Sequence, residues 1–104
     1  MLSDPGYMTF LESKDSDSAF FKDSEIRAIK KYCQENDGVV RFSFVGDCNT
    51  AELQFGPSLY DRLILTRTFT GYVLRLKSED YEVQSKKIEF QSFKEMMDYV
   101  KLET

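Results

Sequence analysis

The chain contains no histidine, so the side chain most often used as a general base or proton shuttle at neutral pH is missing. Its thiols are Cys33 and Cys48. Cys48 follows Gly46-Asp47 in a turn signal. The neighbouring carboxylate would raise a thiol pKa rather than lower it, which makes Cys48 a poor nucleophile. Cys33 falls on the apolar stripe of a predicted helix and reads as core. The two do not form C-x-x-C, and no histidine is present to complete a mixed zinc site. Two free thiols in a reducing compartment is the simplest reading. Asp15-x-Asp17 matches the opening of a calcium loop, but the positions that should carry further oxygen ligands and the tight-turn glycine are Ala19, Phe20 and Ile26. Neither a phosphate-binding G-x-x-x-x-G-K-[ST] nor a G-x-G-x-x-G is present. The adjacent acids Glu79-Asp80 lie in a turn, where carboxylates are ordinarily solvated. The expectation is a protein that is not an enzyme and uses no cofactor and no metal.

What remains is binding, and charge bounds the kind. Net charge is −4. Residues 1–25 hold six acids (Asp4, Glu12, Asp15, Asp17, Asp23, Glu25) against Lys14 and Lys22, so residues 26–104 are balanced. A neutral body with an acidic end disfavours non-specific nucleic-acid binding, which needs surplus Lys and Arg against phosphate. No apolar run approaches the roughly 18 residues that span a bilayer, and no signal-peptide pattern opens the chain. The expected setting is the cytoplasm of a cell or of an infected host. With 41% hydrophobic residues, including 9 Phe and 6 Tyr, 104 residues are enough for one packed domain. The expected division is an acidic, partly ordered arm over 1–22 and a single domain over 23–104.

The elements that would position a binding surface follow from periodicity. Ile26, Ile29 and Cys33, with Tyr32 alongside, make one apolar stripe and predict a helix over Ser24–Asn36. Asp23 or Ser24 is expected to cap it, and Gly38 to supply the left-handed stop. The period then changes to two. Val40 to Val45, Ala51 to Phe55, a third strand after Leu59, Tyr72 to Lys77, and Tyr81 to Phe90 read as five strands. In the fifth, Tyr81 and Val83 share one parity and Ile88 and Phe90 the other, which predicts a bulge near 85–87. Ser92-Phe93-Lys94-Glu95 is a capping box before a helix with Phe93, Met96, Met97 and Val100 on one face. Short connections favour antiparallel neighbours. The expected fold is α+β: a five-stranded twisted antiparallel sheet, in the order α-β-β-β-β-β-α, with both helices on one face.

That architecture leaves two candidate surfaces. One is the arm, with Glu12, Asp15, Asp17, Phe20 and Phe21 as a protein-binding segment. The other is the outer sheet face, where alternation places Arg41, Thr66, Thr68, Arg75, Lys77 and Lys86, and where no aromatic is available to stack on nucleic-acid bases. Leu63, Leu65, Phe69, Tyr72, Leu74 and Leu76 are expected to face the helices. Arg67 shares their parity, and a buried arginine needs a partner. It must reach the rim, pair with an acid such as Asp98 or Glu95, or mark a pocket. The functional expectation is a small module that binds another protein and blocks it, of the inhibitor or immunity kind found on phages and mobile elements. Its target would include one with a basic nucleic-acid-binding cleft, which the acidic arm would occupy. The alternative is a nucleic-acid binder using the sheet face. A homodimer through an exposed edge strand is compatible with either.

Overall fold

A computed structural model describes residues 19–43, 49–56 and 59–104 of the chain. The order is α1 (Asp23–Glu35), β1 (Val39–Phe42), β2 (Thr50–Gln54), β3 (Arg62–Arg67), β4 (Tyr72–Lys77), β5 (Lys86–Phe90) and α2 (Phe93–Glu103). The strands form one sheet in sequence order, every neighbouring pair antiparallel. This is the expected α+β meander with an N-proximal and a C-terminal helix.

Helix α1 starts one residue earlier than the sequence suggests, and its cap differs. Lys22 is the N-cap residue and offers no side-chain acceptor; instead the carboxylate of Glu25 accepts the Lys22 backbone N–H at 2.9 Å. Asp23 and Ser24 are therefore inside the first turn, where Asp23 still favours the positive end of the helix dipole. At the other end the left-handed residue is Asp37 (φ 56°), not Gly38. Aspartate tolerates that conformation better than most residues with a Cβ. Gly38 closes the motif by donating its N–H to the Cys33 carbonyl at 2.7 Å. Its lack of a side chain answers a different need, because a Cβ there would lie 2.5 Å from the ring of Phe55.

Helix α2 is capped as the sequence signals on one side only. The Ser92 hydroxyl accepts the Glu95 backbone N–H at 3.1 Å. Glu95 then takes the Ser92 hydroxyl proton rather than the Ser92 backbone N–H, at 3.0 Å. Lys94 and Asp98 add an ion pair one turn apart, at 2.9 Å.

The register defines the two faces of the sheet, because residues directly opposite each other across strands share a face. On the helix side, Phe42, Ala51, Leu65, Leu74 and Ile88 form one row, and Val40, Leu53, Leu63 and Leu76 the next. Leu53, Leu63, Leu65, Leu74 and Leu76 are fully buried, as are Ile29 of α1 and Met96 and Val100 of α2. The core also takes in Tyr60, just before β3, and Phe21, just before α1.

Three sequence expectations fail here for one reason, that strand parity was extended beyond the strands. Phe69 is exposed in the β3–β4 turn rather than inward. Residues 78–85 form turns, so β5 covers only Lys86–Phe90 and the expected bulge does not arise. The change of parity between Val83 and Ile88 is a change of structure, although Val83 still packs against the core from its turn.

Candidate functional site

The outer face of the sheet is built by the alternate residues of the same strands. Its central row reads Arg41, Glu52, Ile64, Arg75 and Lys87 across β1 to β5. Thr50, Thr66, Val73 and Glu89 form the row on one side, and Arg62 and Lys77 lie opposite each other in the row on the other. No described helix covers these residues, since the apolar faces of α1 and α2 are in the core cluster with the opposite face. The described residues of this face contribute the cations Arg41, Arg62, Arg75, Lys77 and Lys87 against the acids Glu52 and Glu89. Glu52 is held between two of the cations, 3.7 Å from the Arg41 guanidinium and 3.9 Å from that of Arg62.

Of the residues expected here, Arg41, Thr66, Arg75 and Lys77 are on this face. Thr68 is beyond the end of β3, and its hydroxyl accepts the Gly71 backbone N–H at 3.1 Å, which commits it to the turn. Lys86 is on the opposite face: it pairs with Leu76, whose side is the core. There its pKa is raised, chiefly by the neighbouring Tyr60 hydroxyl, with Tyr99 and Glu103 adding to the effect. The reason is again β5, whose parity follows Ile88 and Phe90 and not Tyr81 and Val83. The basic residue that β5 does contribute to the outer face is Lys87. Sequence reasoning missed it, although the parity of Ile88 and Phe90, taken by itself, puts Lys87 and Glu89 on the opposite face.

The arm is a different case. Glu12, Asp15 and Asp17 lie outside the described residues, as does Cys48. Phe20 is exposed over 39% of its surface. Phe21 is a core residue, its ring stacked on Tyr72 at a centroid separation of 6.3 Å. The contact is hydrophobic and buried, so Phe21 is not available to a partner.

Arg67 resolves into a structural device at the same end of the sheet. It is buried and points to the helix side, yet neither Asp98 nor Glu95 is its partner. Its Nη1 donates to the carbonyls of Thr68 (2.7 Å) and Gly71 (2.9 Å), so the guanidinium closes the β3–β4 turn from beneath. The same group lies over the ring of Tyr72, 4.7 Å from its centroid, a cation–π contact out of water. The Tyr72 hydroxyl in turn donates to the Glu25 carboxylate. A buried cation and a buried acid are thus joined through one aromatic ring. Burial, and then the bond and charge of Glu25, push the Tyr72 pKa well above the usual phenol range, against the opposing effect of Arg67. Glu25 thus serves both the helix start and the core, its Oε1 accepting the Lys22 backbone N–H and its Oε2 the Tyr72 hydroxyl.

A groove of about 420 Å³ runs between the helices, lined by Tyr32, Phe93, Met97, Lys31 and Lys101 among others. A smaller one of about 220 Å³ adjoins the β3–β4 turn, beside Thr68, Thr70, Glu89 and Gln91. Cys33 is a free, buried thiol whose pKa burial raises to about 11, which keeps it protonated and inert. No group of metal-ligating side chains occurs among the described residues. Among them also, no helix is long and apolar enough to cross a membrane. Comparison with protein-family models, with curated proteins and with solved structures gave no match.

Proposed function

We propose that the protein is a non-enzymatic binding module, of the inhibitor or immunity kind, that engages another protein through the outer face of its sheet. One observation carries this reading: both described helices pack on the same side, and among the described residues the opposite side carries polar and charged side chains from all five strands. An antiparallel sheet with one wet face is ordinary. This one is distinguished by charge of one sign gathered on it in a protein whose net charge is negative. A module that acts by covering a site needs shape and charge and no reactive group. The acids Glu12, Asp15 and Asp17 remain a second candidate contact within the same proposal.

Placing a photo-crosslinking side chain at Thr66, on the outer face, and separately at Lys31, on α1, tests the proposal in a lysate of the source cells. The expected result is a discrete adduct from Thr66 that excess unlabelled protein competes away, with none from Lys31. Adducts from Lys31 alone would place the contact elsewhere and end the reading.

The alternative, nucleic acid on the same face, has the same cations in its favour. It is weakened by the residues between them, none of which is aromatic.

A further inference from the structure

Two pairs of like charges face each other directly across strands on the outer face. Arg62 of β3 is opposite Lys77 of β4, and Arg75 of β4 is opposite Lys87 of β5. Directly opposed like charges destabilise a sheet. Adjacent strands are about 4.8 Å apart, and Arg75 and Lys77 are two residues apart on one strand, so the four cations form a single patch. Arg62 is within ion-pair distance of Glu52, which it shares with Arg41, and Glu89, two residues along β5 from Lys87, is the other acid of this face. Among the described residues, Arg75, Lys77 and Lys87 make no ion pair. The fold therefore carries an electrostatic cost at one place on its surface, and an anionic ligand would relieve it.

We infer that this patch, Arg62, Arg75, Lys77 and Lys87, is the docking point for a carboxylate-rich segment of the partner protein. The inference rests on the reading of the sheet face as the binding surface and adds the chemistry of what it binds. Three observations favour carboxylates over nucleic-acid phosphates. The face already holds one carboxylate, Glu52, between two guanidinium groups. It has no aromatic among its described residues, whereas single strands are bound by stacking bases on rings. Finally, the whole chain is negative. A long polyanion is repelled by that net charge, while a short acidic segment interacts within a Debye length, roughly 8–10 Å, and feels mainly the patch.

The test is fluorescence anisotropy of the full chain with a labelled oligoglutamate peptide and, separately, a labelled oligothymidylate of matched charge, each across a salt series. Wild type is expected to bind the peptide at low salt, to lose it as salt rises, and to bind it more tightly than the oligonucleotide. The double reversal Arg75→Glu/Lys87→Glu should weaken peptide binding by about ten-fold or more, because reversing two charges lowers the local charge by about four units at contact distance. Arg27→Glu/Lys31→Glu on α1, with the same change in net charge, should leave it within about two-fold, because α1 is on the opposite side of the sheet from the patch and salt screens charges across that separation. Arg75→Gln/Lys87→Gln provides a milder form whose folding is monitored by circular dichroism. Equal loss from both reversals would reduce the effect to net charge and overturn the inference. Tighter binding of the oligonucleotide, abolished by Arg75→Glu/Lys87→Glu, would assign the patch to phosphate and overturn it too. Absence of peptide binding alongside persistent crosslinking from Thr66 would remove the acidic segment while leaving the sheet face as the binding surface.

Discussion

The Tyr72 hydroxyl donates to the Glu25 carboxylate, joining the first turn of α1 to the start of β4 across 47 residues of sequence. Phe21 and Phe93 pack on the same ring, the second at 5.8 Å, and Arg67 lies over it. Removing the hydroxyl alone, in Tyr72→Phe, keeps the ring contacts and leaves the Glu25 carboxylate buried with one donor fewer. The expected loss is about 1–3 kcal/mol, read as a lower urea midpoint with unchanged slope. A loss indistinguishable from zero would mean that the bond contributes nothing beyond what water supplies to the unfolded chain.

Alkali should destabilise the protein, and two buried groups contribute to the loss. Tyr72 and Cys33 both have folded pKa values raised above their unfolded ones, Cys33 from 9.0 to about 11. The stability such groups contribute is therefore complete below the unfolded pKa and is lost as pH rises toward the folded one. The window opens near pH 9 for the thiol and near pH 10 for the phenol. Two pH units on Cys33 correspond to about 2–3 kcal/mol. Cys33→Ala should flatten the first part of the decline between pH 9 and 11, measured by urea titration at each pH against wild type. An unchanged decline would show that Cys33 is not its source.

The glycines should rank by what a methyl group would meet. A Cβ on Gly71 would overlap the backbone carbonyl oxygen of Phe90, where the β3–β4 turn meets the end of β5. That oxygen can retreat only if β4 and β5 part, so Gly71→Ala should cost about 1–3 kcal/mol. At Gly38 the obstacle is the half-buried Phe55 ring, which can turn aside, and the cost should be smaller. Nothing lies within 4 Å at Gly56, where alanine should be neutral or slightly stabilising. Thermal midpoints of the three variants test the ranking, and Gly56→Ala falling below Gly71→Ala would refute it.

Lys87→Glu should stabilise the fold. The substitution turns a like-charge pair with Arg75 into an opposite-charge one, worth about 0.2–1 kcal/mol across a strand pair. The gain should shrink at high salt. A rise in thermal midpoint together with weaker binding of an acidic peptide would identify the patch as a place where stability is given up for recognition. A fall in midpoint would show that Lys87 has a structural role at the sheet edge.

Much of the architecture follows from the chain's own periodicities. The 3.6-residue stripe of Ile26, Ile29 and Cys33 and the signal from Ser92 to Glu95 each yield a helix near the expected limits. Alternation over Leu63–Leu65 and Tyr72–Leu76 yields the two central strands and their inner face. These patterns are local, and burial of one stripe or one face is enough to specify them. Arg41, Thr66, Arg75 and Lys77 were placed on the outer face for the same reason.

The tertiary structure decided whatever depended on where an element stops or on partners distant in sequence. Lys86 and Lys87 exchange faces because β5 begins at Lys86, and no local pattern marks that start. Phe69 is expelled because Arg67 folds under the turn and holds its carbonyls. Arg67 itself violates its own apolar row, and alternation alone left its partner open. The answer includes two turn carbonyls and the Tyr72 ring backed by Glu25, groups brought together only when the first turn of α1 reaches Tyr72 at the start of β4. Periodicity reports which side of an element is wet, whereas a buried charge is settled by the particular atoms that arrive beside it, and those are fixed by packing.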